Sequence, residues 1–286
     1  MKPSRSEFIP IRGLRYHMRL WGDDAAPKLF MVHGWMDVGA SFQFLVDALV
    51  RDWCVLAPDW RGYGLTEKAD ADAYWFADYM ADLDGILRHY QPDAPVNLIG
   101  HSLGGNVSSM YAGAKPERIA RLVNLEGFGM RRSQAAEAPE RYRKFIDQIA
   151  APPTLRPYAD FARLAARLKK SNPRLTDAKA DFLARHWGVE QDGRVVLLAD
   201  PAHKIVNANL YRVDEASACW DAITAPTLIV AAAQSEMLTK WIDPQEYRER
   251  LSHFRHLTEA SIDGAGHMLH HDQPAQLAKL IEDFIP

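Results

Sequence analysis

The sequence predicts an α/β protein: a mainly parallel, doubly wound sheet with a helical segment inserted after its sixth strand. Three observations carry this reading. Short apolar runs alternate with stretches of helical period from the N-terminal region to about residue 129. The alternation lapses between about residues 130 and 222, then resumes to the end. One strand–helix junction also carries the pentapeptide Gly100-His101-Ser102-Leu103-Gly104.

The elements follow in order. Phe8 to Leu20 alternates loosely around Arg12-Gly13 and reads as an opening hairpin or pair of edge strands. Lys28 to His33 is an apolar run ending at Gly34, the pattern of a buried parallel strand. Ser41 is placed to cap a helix running to about Val50, with Phe42, Leu45, Val46 and Leu49 on one face. Cys54 to Ala57 is the next strand, stopped by Pro58. Helical spacing then covers Trp75 to Tyr90, followed by a strand at Val96 to Ile99, a helix at Asn106 to Ala114 and a strand at Ile119 to Leu125.

From about Met130 to Ala222 the chain reads as helices joined by loops bearing Pro152, Pro153, Pro157, Pro173 and Pro201. Leu155 to Lys170 and Thr176 to Trp187 have helical periods. Residues 131–219 hold 16 Lys and Arg against 11 Asp and Glu, so this segment is basic in an otherwise acidic chain. The charges fit solvated helix faces, or a lid that favours anionic substrates. Pro226 opens a strand at Thr227 to Ala232. A helix, a strand near Leu257 to Ile262 and a last helix from about Pro274 to Phe284 complete the pattern. The expected division is therefore a core of residues 1–129 and 223–286, with residues 130–222 as a helical cap. Such a cap lies over the strand carboxyl ends, where open α/β sheets bind ligands.

Composition narrows the functional classes. Hydrophobic residues make up 48% of the 286 and charged residues 25%, enough apolar material for a sizeable core. A net charge of −3 gives no general case for nucleic-acid or anionic-membrane binding. No apolar run reaches the roughly 18 residues a membrane span needs, and Met1 to Pro10 lacks the apolar region of a secretory leader. A cytoplasmic location is the expectation. The two cysteines, Cys54 and Cys219, are far apart and read as free buried thiols. CxxC pairs, HExxH, a Walker loop and GxGxxG are absent, so the sequence argues for no cofactor and no metal.

The chemistry centres on Ser102. A G-x-S-x-G between strand and helix needs small residues two before and two after the serine, because the turn is tight. A serine hydroxyl is a poor nucleophile at neutral pH and needs a base, which in turn needs an orienting acid. His267, in the Gly-rich loop Asp263-Gly264-Ala265-Gly266-His267, is the base candidate; His270 and His271 are the alternatives. Glu126, directly after the sixth strand, and Glu236, just past the seventh, are the acid candidates. An oxyanion hole would take the N–H of Leu103 and that of Trp35, whose preceding glycine lets backbone approach a ligand. Trp35, Met36 and Phe128 are candidate pocket walls, with Tyr158, Trp187 and Tyr211 from the cap. Asp59 and Arg61, in Asp59-Trp60-Arg61-Gly62-Tyr63-Gly64, read as structural, in a loop braced by an ion pair.

Taken together, His33-Gly34-Trp35, Asp59-Trp60-Arg61-Gly62-Tyr63-Gly64, Gly100-His101-Ser102-Leu103-Gly104-Gly105 and Gly264-Ala265-Gly266-His267 resemble the fingerprints of the α/β-hydrolase fold superfamily, in its capped serine hydrolase-like and esterase branch. The resemblance spans nearly the whole chain. It implies a Ser-His-acid triad. The usual family acid is an Asp about nine residues after the proline that opens the seventh strand; here that position is Ser235. Some members place a Glu after the sixth strand, about 24 residues past the nucleophile, which is the spacing from Ser102 to Glu126. This favours Glu126, with Glu236 as the alternative. Dehalogenases and epoxide hydrolases of this fold use an Asp nucleophile, and Ser102 argues against both. The expected activity is hydrolysis of a small carboxylic ester, thioester or lactone through an acyl-enzyme. The alternatives are a carbon–carbon bond hydrolase of ring-fission products and a ligand-binding protein on a hydrolase scaffold.

Overall fold

The computed structural model describes residues 1–240 and 242–286. In chain order it contains strands β1 (Ser4–Ile11), β2 (Leu14–Trp21) and β3 (Lys28–Val32), helix α1 (Gln43–Ala48), strand β4 (Cys54–Pro58), helix α2 (Phe76–Tyr90), strand β5 (Val96–His101), helix α3 (Leu103–Ala114) and strand β6 (Ile119–Leu125). Next come helices α4 (Ala138–Ala150), α5 (Phe161–Ser171) and α6 (Asp177–Trp187), strands β7 (Gly188–Gln191) and β8 (Arg194–Leu197), and helix α7 (Val213–Asp221). Strand β9 (Thr227–Ala232), helices α8 (Glu236–Lys240) and α9 (Pro244–Ser252), strand β10 (Leu257–Ile262), and helices α10 (Leu269–Asp272) and α11 (Pro274–Phe284) finish the chain.

Among the described residues, eight strands form one sheet in the order β1-β2-β4-β3-β5-β6-β9-β10. The β1–β2 and β2–β4 pairs are antiparallel, and every later pair is parallel. The central strands are apolar on both faces because helices cover both faces. On one side, Leu83, Ile86 and Leu87 of α2 and Val107, Tyr111 and Ala112 of α3 pack against Phe30, Leu56 and Leu98. On the other, Leu45 and Val46 of α1 and Leu277, Ala278 and Ile281 of α11 pack against Met31, Val55, Ile99 and Val123.

The segment between β6 and β9 carries its own apolar cluster, with Leu164, Leu168, Ala180, Leu183, Ala184 and Val195 packed against Phe44 of α1. It contains something the helical reading missed: the β7–β8 hairpin. The turn is Asp192-Gly193, both with positive φ (51° and 70°), the left-handed pair that a two-residue hairpin turn demands. Helix α5 starts at Phe161 rather than near Leu155. The Asp160 carboxylate caps it by accepting from the Arg163 N–H at 2.7 Å, and Tyr158 is held by Val195 in an isolated bridge. Ser41 lies inside a 3-10 turn, Gly39–Phe42, and its hydroxyl donates to Asp37 rather than capping a helix. Both cysteines are free; Cys54 is buried and Cys219 only partly so. No helix among the described residues is long and apolar enough to cross a membrane.

Candidate active site

The site is assembled at the carboxyl ends of β3, β5, β6 and β9. Ser102 follows β5 directly and precedes α3, with φ 52° and ψ −112°. That is strained for a residue with a side chain, and the flanking hydrogen bonds hold it. The Ser102 N–H donates to Leu125 O at 2.8 Å, and Ser102 O accepts from the Asn106 N–H at 3.0 Å. The glycines are steric requirements of this turn. A Cβ on Gly100 would sit 2.3 Å from Gly104 O, and one on Gly104 would sit 2.2 Å from Val32 O.

His267 lies in the loop between β10 and α10. Ser102 Oγ is 3.0 Å from His267 Nε2, and His267 Nδ1 is 3.2 Å from Glu126 Oε2. The carboxylate can only accept from Nδ1–H, so Nε2 carries the lone pair that accepts from the Ser102 hydroxyl. Glu126 is fully buried at the end of β6, also at positive φ (59°). Asn124 sets that turn: its amide accepts from the Gly127 N–H at 2.8 Å and donates to Gly127 O at 2.8 Å. Glu126 Oε1 accepts from the Ala232 N–H at 2.7 Å, and Oε2 accepts from the Ser235 hydroxyl. Ser235, at the place where the family pattern expects an acid, thus contacts the acid candidate delivered by the neighbouring strand. Glu236 lies exposed at the start of α8, and the carboxylate at His267 Nδ1 is that of Glu126.

The oxyanion candidates also meet here. Neither the Trp35 N–H nor the Leu103 N–H donates to another group among the described residues. Leu103 is the first residue of α3, where an N–H has no intrahelical acceptor. The loop bearing Trp35 is pinned from beneath by His33. The His33 Nδ1–H donates to Gly34 O at 2.7 Å, Nε2 accepts from the Trp60 N–H at 2.9 Å, and the His33 carbonyl accepts from the Trp60 indole at 2.9 Å. Burial pushes the His33 pKa down to about 4, so it is neutral in this role. Met36, at φ 55°, completes the turn.

Trp35 and Leu103 line a cavity of about 190 Å³ with Tyr74, Trp75, Phe76, Tyr79, Met130, Arg141 and His203. Trp35 is 55% exposed, and its indole donates to His203 O at 3.2 Å. Met36 instead faces a second cavity of about 150 Å³ with Tyr63, Tyr158, Leu164 and Trp187. Phe128 lines neither; it is buried edge-on against Tyr247, with ring centroids 5.2 Å apart. Tyr211 lies at a third depression, beside Trp75 and Tyr142.

Asp59 and Arg61 do brace their loop, though each with its own partner. Arg61 is bidentate to the fully buried Asp82, at 2.5 and 2.7 Å. Asp59 accepts from His17 Nδ1 at 2.7 Å, the Leu65 N–H at 2.9 Å and the Gly39 N–H at 2.7 Å. Burial alone would raise the Asp59 pKa, but the His17 and backbone hydrogen bonds bring it below the usual carboxylate value. His270 and His271 are fully buried behind His267 and do not reach Ser102.

A family model of the α/β-hydrolase fold matches residues 27–274. The chain belongs to the α/β-hydrolase fold family. A serine hydrolase-like protein of Danio rerio is similar to this α/β-hydrolase, 27% identical over all of the chain and 90% of the relative's length. A 3-hydroxybutyrate-oligomer hydrolase of Cupriavidus necator is 26% identical over 93% of the chain and 90% of the relative. Among solved structures, a thioesterase domain from the curacin biosynthetic pathway superposes with a TM-score of 0.88 at 23% identity, covering 98% of this chain and 99% of that one. An E-2-(acetamidomethylene)succinate hydrolase gives 0.79 at 23% identity, with 99% of each chain covered. These two likenesses establish the shared fold.

Proposed function

We propose that this α/β-hydrolase is a serine hydrolase that cleaves a small carboxylic ester, thioester or lactone through an acyl-enzyme. The observation that carries the proposal is the unbroken line of contacts from Ser102 Oγ through His267 to Glu126, at 3.0 and 3.2 Å. His267 Nε2 takes the Ser102 proton as Oγ attacks the carbonyl carbon. The imidazolium that forms is stabilised by the buried Glu126 carboxylate, which Ala232 and Ser235 hold in place. The N–H groups of Trp35 and Leu103 receive the developing oxyanion. His267 then gives its proton to the leaving group, and a water activated by the same nitrogen releases the acyl group. No cofactor or metal enters these steps.

In this reading residues 130–222 act as the cap of a core made from residues 1–129 and 223–286. The curacin thioesterase domain and the 3-hydroxybutyrate-oligomer hydrolase act, by their names, on acyl compounds, which is consistent with acyl transfer here. A second reading, carbon–carbon bond hydrolysis of an anionic ring-fission product, has one observation in its favour: Arg141 lines the cavity beside Trp35 and Leu103. Turnover of p-nitrophenyl butyrate, butyryl thioesters and a dienoate ring-fission product separates the two. The first reading expects the acyl substrates to be cleaved at least tenfold faster by kcat/KM. The reverse order would refute it in favour of the second.

A further inference from the structure

Behind His267 lies a buried polar cluster that the proposed acyl chemistry does not use. Asp37 comes from the loop after β3, His101 from the end of β5 and His270 from α10; they are 2%, 1% and 0% exposed. Asp37 Oδ2, His101 Nδ1 and both ring nitrogens of His270 have no hydrogen-bond partner among the described residues. Buried polar atoms without partners are rare, because each forfeits hydration at a cost of about 1–3 kcal/mol. The three side chains also lie close together: one ligand atom from each, an imidazole nitrogen or a carboxylate oxygen, lies within 4.8 Å of the others.

The protonation pattern narrows what fits between them. His101 Nε2–H donates to the His267 carbonyl at 2.8 Å, so Nδ1 presents a lone pair. Asp37 Oδ1 accepts from the Val38 N–H at 2.8 Å and from the Ser41 hydroxyl, leaving Oδ2 as a second acceptor. His270 Nε2 stands 3.9 Å from that Oδ2, beyond hydrogen-bond range. His101 Nδ1 and Asp37 Oδ2 are thus two acceptor atoms with no hydrogen-bond partner among the described residues.

We infer that Asp37, His101 and His270 form a binding site for a divalent transition-metal ion of the zinc class. Two imidazoles and one carboxylate are a common donor set for such an ion. Metal-ligating histidines characteristically donate their other N–H to a carbonyl or carboxylate, as His101 does, and ligating carboxylates are themselves hydrogen-bonded, as Asp37 is. The spacing also fits. Three donors at the corners of a triangle with 4.8 Å sides lie about 2.8 Å from its centre, so reaching the ~2.0–2.1 Å of a zinc bond needs an inward shift of about 0.7 Å each. The sequence shows no metal motif because the three donors come from a loop, a strand end and a short helix far apart in the chain.

The test is Zn²⁺ binding to the full chain after chelator treatment and dialysis, followed by calorimetry and elemental analysis. The expected result is one tightly held Zn²⁺ per chain. Asp37→Asn and His270→Ala should each weaken it at least tenfold, while His89→Ala, at an exposed histidine, leaves it unchanged. Absence of a stoichiometric site, or affinity indifferent to both substitutions, would overturn the inference and leave an ordered water as the occupant. Co²⁺ added to the wild-type protein provides a second measurement that needs no variant to fold. Intense d–d absorption of a low-coordinate ion is expected, and only the weak spectrum of hydrated Co²⁺ would overturn it.

Discussion

Replacing Glu126 by Gln changes one atom at the base of the proposed triad, and the surrounding contacts set how much that atom matters. The amide has one acceptor oxygen where the carboxylate has two. If that oxygen stays at the Oε1 position to accept from the Ala232 N–H, the NH₂ points at Ser235 and His267 Nδ1. The imidazole must then place its proton on Nε2, facing Ser102 as a donor, which is the wrong tautomer for a base. If the amide flips, its NH₂ confronts the Ala232 N–H, and two buried donors are left opposed. That costs about 1–3 kcal/mol, or roughly 5- to 150-fold in the population of the working state. The tautomer error is the larger effect, worth up to about 10⁴ in kcat for the corresponding change in a serine protease. The expected loss in kcat for p-nitrophenyl butyrate is therefore about 10²- to 10⁴-fold with KM little changed, and Glu236→Gln stays within about twofold of wild type. Glu126→Gln retaining more than a third of wild-type kcat would refute the reasoning. A loss confined to Glu236→Gln would move the acid to α8.

Other expectations follow from the same contacts. Gly104→Ala drives a Cβ to within 2.2 Å of Val32 O, so the chain should lose about 3 kcal/mol or more, read as a lower urea midpoint or failure to fold. Arg61→Met removes the bidentate partner of buried Asp82, which keeps Arg12 at 2.9 Å and the Tyr16 hydroxyl at 2.7 Å, and should cost about 1.5–3 kcal/mol in urea unfolding, whereas exposed Arg185→Met changes it by less than about 0.5 kcal/mol. His33 and His203 have pKa values pushed by burial to about 4 and about 3, below an unfolded value of 6.5. The unfolded chain therefore binds more protons than the folded one in that window. Stability should be fully present above pH 6.5 and fall as pH drops towards 4, by about 1.4 kcal/mol per unit for each fully counted histidine. Urea midpoints at pH 7, 6 and 5 check the sign.

Most of the sheet was legible in the sequence because buried parallel strands are short apolar runs bounded by turn residues. Lys28–Val32, Ile119–Leu125 and Thr227–Ala232 emerge with boundaries close to those read from pattern alone. The β7–β8 hairpin escaped because it lies in a segment dominated by helical periods, although Asp192-Gly193 between alternating residues was a usable signal. Ser102 and His267 stood out as candidates because glycines flank them, and at Ser102 the tight turn requires those glycines. The acid candidate was less legible. A carboxylate's partner depends on how β6 and β9 pair, and Ser235 becomes informative only once Leu125 is seen opposite Val230. Asp37, His101 and His270 carried no signal of a shared site, since a loop, a strand end and a short helix far apart in the chain bring them together.

The central claim is that Ser102 is the residue acylated during turnover. Incubation of the folded chain with a fluorophosphonate, followed by mass measurement of the intact protein and its peptides, tests it directly. The expected result is one adduct per chain on the peptide bearing Ser102, full loss of activity in proportion to labelling, and no adduct in Ser102→Ala. A folded chain that hydrolyses p-nitrophenyl butyrate yet takes no label at Ser102, or labels equally well as Ser102→Ala, would contradict it.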